Sequence, residues 1–417
     1  MKLEAWGHAT ALDQRVIGRI ATADCPATRR QDAVLLLHGD DRVSRGDVEG
    51  YQALLTPLPV LPTWARGMAA MRAVEGLEYL EPGDVVLLTP AGFVRVLYRR
   101  RSDQNFLLVA ENCNSYCLMC SQPPRPSHDI ARVHEHLRLI DLIDPETREL
   151  GLTGGEPTLL RDHFLKLIEH CKSRLPRTAL HVLTNGRLFF YRKFAQRLGA
   201  IAHPDLMLGI PLYSDVDCEH DYVVQATRAF DQTVIGLYHL ARYEVPVEIR
   251  VVLHRQTYRR LPALAEFIAR NFPFAAQVAL MGLEVTGLTL AHPDELWIDP
   301  AEYQDELKAA AEHLHAAGLH VRLYNHQLCV LDRCLWRFTV RSISDWKREY
   351  LPCCESCSLR HECGGVFATS HGRHSAHISP FGRIDDGERD SPRPRPSGSS
   401  GAPKVADGAY SRDRTPL

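Results

Sequence analysis

The stretch NFLLVAENCNSYCLMCSQPP, residues 105–124, reads as a short apolar strand running directly into a loop that carries Cys113, Cys117 and Cys120. Working outward, the segment from Ser127 to Ile143 places Ile130, Val133, Leu137 and Ile140 at helical spacing, and Asp144-Pro145 stops it. ELGLTG (149–154) reads as a second strand, and the following helix carries Phe164, Leu167, Ile168, Cys171 and Leu175 on one face. ALHVLTNG, LMLGIPLYS, VEIRVVL and QVALMGLE read as strands three to six, separated by helical segments that include FDQTVIGLYHLARY and LPALAEFIARNF. This alternation predicts an α/β domain on a parallel sheet. Periodicity leaves two forms open, a partly closed barrel or an open doubly wound sheet. Both place the site at the carboxyl ends of the strands, where CNSYCLMC, TGGEP, TNG and YS each follow a predicted strand.

The cysteines carry the chemistry. The chain has twelve, and they cluster: three in the loop and six more at Cys329, Cys334, Cys353, Cys354, Cys357 and Cys363. In a reducing compartment this pattern fits metal better than disulfides. Cys25, Cys171 and Cys218 stand alone and read as packing residues. A cubane iron–sulfur cluster closed by protein takes four thiolates; the C-x3-C-x2-C loop offers three, which leaves one iron open to another ligand. Zinc with His128 as fourth ligand is the alternative on spacing alone. In Gly154-Gly155-Glu156-Pro157, the glycines permit close backbone approach and the carboxylate complements an ammonium; a bare strand-to-helix turn would look the same. Thr184-Asn185-Gly186 could likewise be an ordinary turn. Arg250 is a charge inside an apolar strand, so it either meets a carboxylate at the barrel mouth or points to solvent from an edge.

Taken in this order, the cysteine loop, TGGEP one helix later and TNG after the third strand resemble the radical SAM superfamily. That resemblance implies a partial (β/α)6 barrel and a [4Fe–4S] cluster on Cys113, Cys117 and Cys120. It implies S-adenosyl-L-methionine (SAM) chelating the open iron through its amino and carboxylate groups. One electron would cleave SAM to methionine and a 5′-deoxyadenosyl radical that takes hydrogen from the substrate. Gly154, Gly155, Glu156 and Pro157 would then engage the SAM amino group, Thr184 and Asn185 would lie near the nucleoside, Arg250 would meet the SAM carboxylate and Ser214 the ribose. An electron donor such as flavodoxin or ferredoxin is implied as well. One departure is Met119 before the third cysteine, where an aromatic is common; Tyr116 precedes the second.

Cys354-x2-Cys357-x5-Cys363 is similar to part of the auxiliary-cluster regions called SPASM or twitch, with Phe367 where a further cysteine usually stands. This implies one additional [4Fe–4S] cluster, with Cys329 as upstream ligand and Cys334 and Cys353 as substitutes; a zinc ribbon is the alternative. The wording of NCNSYCLMCSQPP, TGGEPTLL, HVLTNGR, VALMGLE, NHQLCVLD, SISDWK and CSLRHECGGVF resembles the His-Xaa-Ser system radical SAM maturases (HxsC). A ribosomally made peptide substrate carrying His-Xaa-Ser repeats, and a companion radical SAM maturase, are what this second resemblance implies.

The expected organisation is an N-terminal accessory module (1–104), the barrel (105–320), a SPASM/twitch-like cysteine-rich region (321–381) and a disordered tail (382–417) rich in Pro, Ser, Gly and Arg. The first module contains AVLLLHGDD, a Pro-rich stretch and a hairpin turning at Pro90-Ala91-Gly92. It reads equally as a packing extension or as a substrate-docking unit. With 45% hydrophobic and 24% charged residues the chain is of the globular class. A net charge of −2 gives no global attraction to nucleic acid or to an anionic membrane. With no signal-peptide h-region and no apolar run of spanning length, a cytoplasmic protein is expected.

Overall fold

The structure, a computed structural model, describes residues 3–38 and 44–382. Its centre is a seven-stranded parallel sheet: β9 (Asn105–Ala110), β10 (Glu149–Gly154), β11 (Ala179–Leu183), β12 (Leu206–Pro211), β13 (Val247–Leu253), β14 (Gln277–Gly282) and β15 (Val321–Tyr324). The strands lie side by side in the order of the chain, all parallel. Sequential order with right-handed crossovers places every connecting helix on one face, because only a reversal of strand order moves helices to the other. The sheet is therefore singly wound and curls as a partial barrel, which excludes the doubly wound form.

Side-chain alternation along each strand divides the two faces. Leu107, Val109, Leu150, Leu152, Val182, Leu208, Ile249, Val251, Val278 and Leu323 point outward into a continuous core with the helices. From the helices, Phe164, Leu167, Ile168, Cys171, Leu237, Leu264 and Leu307 meet them there. Each such aliphatic side chain, fully removed from water, contributes about 1.5–3 kcal/mol. The inner face instead carries His181, Gly209, Glu248, Arg250 and Tyr324, so polar groups line the lumen.

Several expectations change. The sheet has a seventh strand, Val321–Tyr324, just beyond the six expected for residues 105–320. The segment from Ser127 forms a 3-10 turn, Asp129–Arg132, and a regular helix only over Val133–Leu142. Ile130 is exposed, because the turn rotates it off the helix's buried face. Cys171 is buried and Cys25 partly so, but Cys218 is exposed and packs in no core.

The N-terminal region is more elaborate than its sequence suggests. Strands β1 (Glu4–Trp6), β2 (His8–Thr10), β3 (Val16–Ala21), β4 (Ala33–Leu36), β5 (Ala53–Leu55), β6 (Ala70–Arg72), β7 (Val85–Leu88) and β8 (Phe93–Tyr98) form one sheet in the order β1-β8-β7-β3-β4-β5-β6-β2. β1 and β2 are separated only by Gly7 yet pair at opposite edges, so the sheet curls round on itself. The hairpin β7–β8 turns at Thr89–Gly92, where Gly92 has φ +91 and a Cβ would lie 2.4 Å from the Gly7 carbonyl oxygen. Val85 and Tyr98 belong to the same core as the barrel. Arg19 donates from Nη2 to the Leu142 carbonyl at 2.7 Å, satisfying a free acceptor at the end of the helix Val133–Leu142. The region thus packs directly against the barrel. Apart from Gly382, the expected tail lies outside the described residues, as do Gly39, Asp40 and Asp41 of the first apolar run.

Candidate radical SAM site

The cysteine loop leaves β9 at Ala110 and is held on three sides. At its stem, the Asp129 carboxylate accepts from the backbone N–H groups of Glu111 and Asn112 at 3.0–3.1 Å, and Arg132 pairs with Glu111 at 3.0 Å. At its centre, Tyr116 and Leu118 donate backbone N–H bonds to Val224 and Val223, the end of the helix Asp217–Val224. At its far side, Leu288 donates to the Cys120 carbonyl at 2.9 Å. Met119, 6% exposed, packs with Tyr213, Val223 and Val224 and seals the loop from beneath.

The GGEP turn supports the same loop. Gly155 donates to the Ala110 carbonyl and Glu156 to the Asn112 carbonyl, each at 2.8 Å. A Cβ on Gly154 would lie 2.2 Å from the Ala110 oxygen, and one on Gly155 2.3 Å from the Asn112 oxygen. These glycines therefore allow backbone to approach backbone, a role the sequence had suggested for a ligand. Glu156 is fully buried. Its Oε1 accepts from the Thr158 N–H (3.0 Å), the Thr158 hydroxyl (2.5 Å) and the Thr184 hydroxyl (2.6 Å), and its Oε2 from the Asn185 N–H (2.6 Å). The carboxylate is a clasp between the GGEP and TNG turns. Burial raises its pKa, with those four donors opposing the shift. Pro157 begins a buried 3-10 turn directly behind it.

Asn185 links the clasp to the cysteines: its Nδ2 donates to Asn114 Oδ1 at 2.6 Å and lies 4.0 Å from Cys113 Sγ. Arg187 donates to the Asn114 carbonyl and, at 3.0 Å, to the Ser115 hydroxyl. Sequence reasoning passed over Asn114, Ser115 and Arg187; a cation directly after TNG was the available signal.

Burial pushes the Cys113 thiol up to about 11, with the Glu156 carboxylate adding to the shift, and the Cys117 thiol up to about 12, with Cys120 and Cys113 adding. Cys120 is raised by burial too. Three desolvated thiols, hard to ionise unaided, are a donor set whose thiolate form a cationic group would stabilise. Among the described residues, no three or more His, Cys, Asp or Glu side chains stand close enough to hold one metal ion, and His128 is exposed. By its chemistry, a set of three thiols fits a cubane with three protein ligands and one iron left open.

Ser214 is fully buried, donating from its hydroxyl to Glu219 Oε2 at 2.7 Å and accepting from the Val216 N–H. Arg250 lies on β13, between β12 and β14, so it is not at an edge. The carboxylate it meets belongs to the protein, Glu248, which is wholly buried. Glu248 also accepts from Tyr324 Oη at 3.2 Å and has Gln277 and His181 beside it. This pairing, absent from the sequence reading, was signalled by two charges two residues apart in one strand.

Of the C-terminal cysteines, Cys329, Cys354, Cys357 and Cys363 line one small cavity with Tyr350, Arg360, Ser379 and Phe381. Cys334 and Cys353 are exposed and do not line it. Burial raises Cys329, and burial with Cys353 adding raises Cys354 to about 11.

The parallel sheet, the cysteine loop at its carboxyl edge and the two clasped turns together form the candidate site on an α/β scaffold. Residues 107–268 match the Radical SAM superfamily and form a domain of that family. A curated relative, "Probable GTP 3′,8-cyclase" of Methanopyrus kandleri, is 27% identical over 204 residues, 48% of this chain and 64% of the relative. Among solved structures, Streptococcus suis SuiB bound to S-adenosylmethionine is 15% identical with a TM-score of 0.40, covering 54% of this chain and 50% of that one. A radical SAM methyltransferase from Sphaerobacter thermophilus is 16% identical with a TM-score of 0.41, covering 60% of this chain and 75% of that one. The chain thus spans less than two thirds of the length of the curated relative and half of SuiB. No described helix is long and apolar enough to cross a membrane.

Proposed function

We propose that this protein is a radical SAM maturase that modifies a ribosomally made peptide bearing His-Xaa-Ser repeats, in the manner implied by its resemblance to HxsC. The observation that carries the enzymatic part is the clasp: one buried carboxylate, Glu156, fixes the GGEP and TNG turns against the stem of a loop with three thiols. Cys113, Cys117 and Cys120 would hold the [4Fe–4S] cluster. Bound there with SAM and reduced by one electron, it supplies a hydrogen-abstracting 5′-deoxyadenosyl radical. The chain's own part is to hold three thiolates in a desolvated loop and to shield the site with Met119 and Tyr213. Asn185 and Thr184 would lie near the nucleoside, and Glu156 would act through the turns it fixes. Ser214, with its hydroxyl engaged to Glu219, would serve the ribose side by positioning the loop after β12.

Cys329, Cys354, Cys357 and Cys363 would hold a second [4Fe–4S] cluster, since four thiols around one cavity close a cubane. The peptide assignment rests on the wording of the C-terminal motifs, with a companion maturase and a flavodoxin- or ferredoxin-type donor as partners. A small nucleotide is the second reading, drawn from the name of the curated relative.

Anaerobic reconstitution tests both parts. Iron should reach about eight per chain, and Cys113→Ala, Cys117→Ala or Cys120→Ala should abolish reductive SAM cleavage. A His-Xaa-Ser repeat peptide, with the companion present, should raise deoxyadenosine formation and change mass. Full SAM cleavage by any of the three variants would sink the enzymatic reading. An unmodified peptide alongside a processed nucleotide would sink the peptide reading alone.

A further inference from the structure

Cys113 is anchored from both sides. Before it, the Asn112 carbonyl accepts from the Glu156 N–H at 2.8 Å. After it, the Asn114 carbonyl accepts from Arg187, and the Asn114 side chain from Asn185. Into this frame Asn185 presents its side-chain nitrogen, Nδ2, 4.0 Å from Cys113 Sγ. Asn185 is itself held at each polar atom. Its backbone N–H donates to Glu156 Oε2 at 2.6 Å, its carbonyl accepts from the Thr233 hydroxyl at 3.2 Å, and its Oδ1 accepts from the Arg187 N–H at 3.1 Å. The last contact fixes which way the side-chain amide faces. A backbone N–H can only donate, so the amide oxygen faces Arg187 and the nitrogen faces the cysteine. An amide nitrogen carries two hydrogens. One goes to Asn114 Oδ1 at 2.6 Å, which leaves the second for the sulfur.

This sulfur needs donors if it is to carry charge. Burial raises the Cys113 pKa, the nearby Glu156 carboxylate adds to the rise, and the backbone N–H groups of Ser115 and Asn114 oppose it. Asn185 thus joins two backbone donors at one sulfur, and of the three it alone acts through a side chain. Neither Cys117 nor Cys120 has a side-chain hydrogen-bond donor among the described residues. A hydrogen bond to a ligating thiolate draws charge away from it and favours the state with one more electron, so it raises the reduction potential of the cluster that the thiolate holds.

We propose that Asn185 donates a hydrogen bond from Nδ2 to the Cys113 thiolate of the loaded protein and thereby raises the potential at which the cluster takes up its electron. The inference rests on the reading that Cys113, Cys117 and Cys120 hold a [4Fe–4S] cluster; the peptide assignment plays no part in it. Asn185 then has a task at the cluster in addition to one beside the nucleoside.

The test is potentiometry of the full-length protein, reconstituted anaerobically and kept free of SAM, with the reduced cluster followed by electron paramagnetic resonance. The signal that Cys113→Ala lacks belongs to the loop. Asn185→Leu removes the donor without adding charge. Asn185→Asp also removes it, but keeps an oxygen for the Arg187 N–H and lets the Asn114 amide turn over to donate. At a fixed applied potential, the ratio of reduced to oxidised cluster should fall about threefold in Asn185→Leu, a midpoint lower by about 28 mV. It should fall about tenfold in Asn185→Asp, or about 59 mV, with iron content as in the wild type. An unmoved midpoint in Asn185→Leu overturns the inference, even where Asn185→Asp shifts, because charge alone would then be acting. Weaker SAM binding with an unmoved SAM-free midpoint overturns it too, since Asn185 would serve only the nucleoside. Loss of the loop signal from both variants makes Asn185 a structural residue of the loop and has the same consequence. If Cys113→Ala keeps every signal of the wild type, the cluster reading itself fails. A normal loop cluster with an unmoved midpoint sinks this inference alone.

Discussion

Glu156 shows how far a single buried carboxylate can act. Its four accepted hydrogen bonds join two turns that come from strands separated by a helix. Glu156→Ala would leave the Thr158 and Thr184 hydroxyls and the Asn185 N–H without their acceptor inside the protein. A buried donor left unsatisfied costs about 1–3 kcal/mol, so the variant should lose about 3 kcal/mol or more. The expected outcome is a melting temperature several degrees lower and weaker SAM binding in the same variant, since the turns that face the site lose their tie. Thr184→Val, which removes one donor and keeps the carboxylate, should cost about 1 kcal/mol. A Glu156→Ala protein with wild-type stability and no SAM binding would mean instead that the carboxylate acts on the ligand directly. Sequence reading located Glu156 but assigned its charge to an ammonium. Nothing in a GGEP string discloses that Thr158 and Thr184 converge on it.

At the scale of elements, the segment after Asp299 does more than end the chain. Ala376 donates to Asp299 Oδ2 at 3.0 Å, Ser358 donates to the Phe381 carbonyl at 3.1 Å, and the Phe381 ring meets Trp336 edge-on with centroids 5.4 Å apart. Ser379 and Phe381 thereby form one wall of the four-cysteine cavity. Ending the chain after Gly382 should leave reconstituted iron unchanged, whereas ending it after His374 should remove that wall and bring iron down by about four per chain. Equal iron in the two truncations would show that the wall is dispensable. The elements differed in legibility for physical reasons. Strands β9–β14 are five to seven residues long and flank amphipathic helices, so two periodicities reinforce each other. β15 has four residues, Val321–Tyr324, two of them polar, and its pairing with β14 is a tertiary fact. The N-terminal sheet is built largely from strands of three or four residues, too short for alternation to rise above composition.

The three regions behave as one packed body. Val85 and Tyr98 from the N-terminal sheet, and Leu335 and Phe338 from the C-terminal region, share the barrel's core. Gln327 donates to the Gly365 carbonyl at 2.8 Å, and Lys347 pairs with Glu284 at 2.7 Å, tying the cysteine-rich region to the sheet's carboxyl edge. Within this body three histidines are buried, His220 and His254 around Tyr213 and His326 against Tyr303, and a fourth, His136 on the first barrel helix, is half-buried. Burial pushes each down to about 4, with Arg132 adding at His136, and at His220 Asp221 opposing the shift while Arg187 adds to it. In the unfolded chain a histidine titrates near 6.5. The folded state therefore binds fewer protons than the unfolded state between about pH 6.5 and 4. Stability contributed by these neutral rings is complete above pH 6.5 and is lost as pH falls through that window. Each ring accounts for about 2 kcal/mol between pH 6.5 and 5, a large share of the 5–15 kcal/mol that typically holds a fold together. The urea midpoint should accordingly be level from pH 8 to 7 and fall steeply by pH 5, before most carboxylates begin to titrate. His326→Gln, which keeps a hydrogen-bonding partner for Tyr303 without a titrating ring, should shallow that fall by about a quarter of the total histidine contribution. A midpoint that stays level down to pH 5 would mean that these rings are not held neutral in the fold.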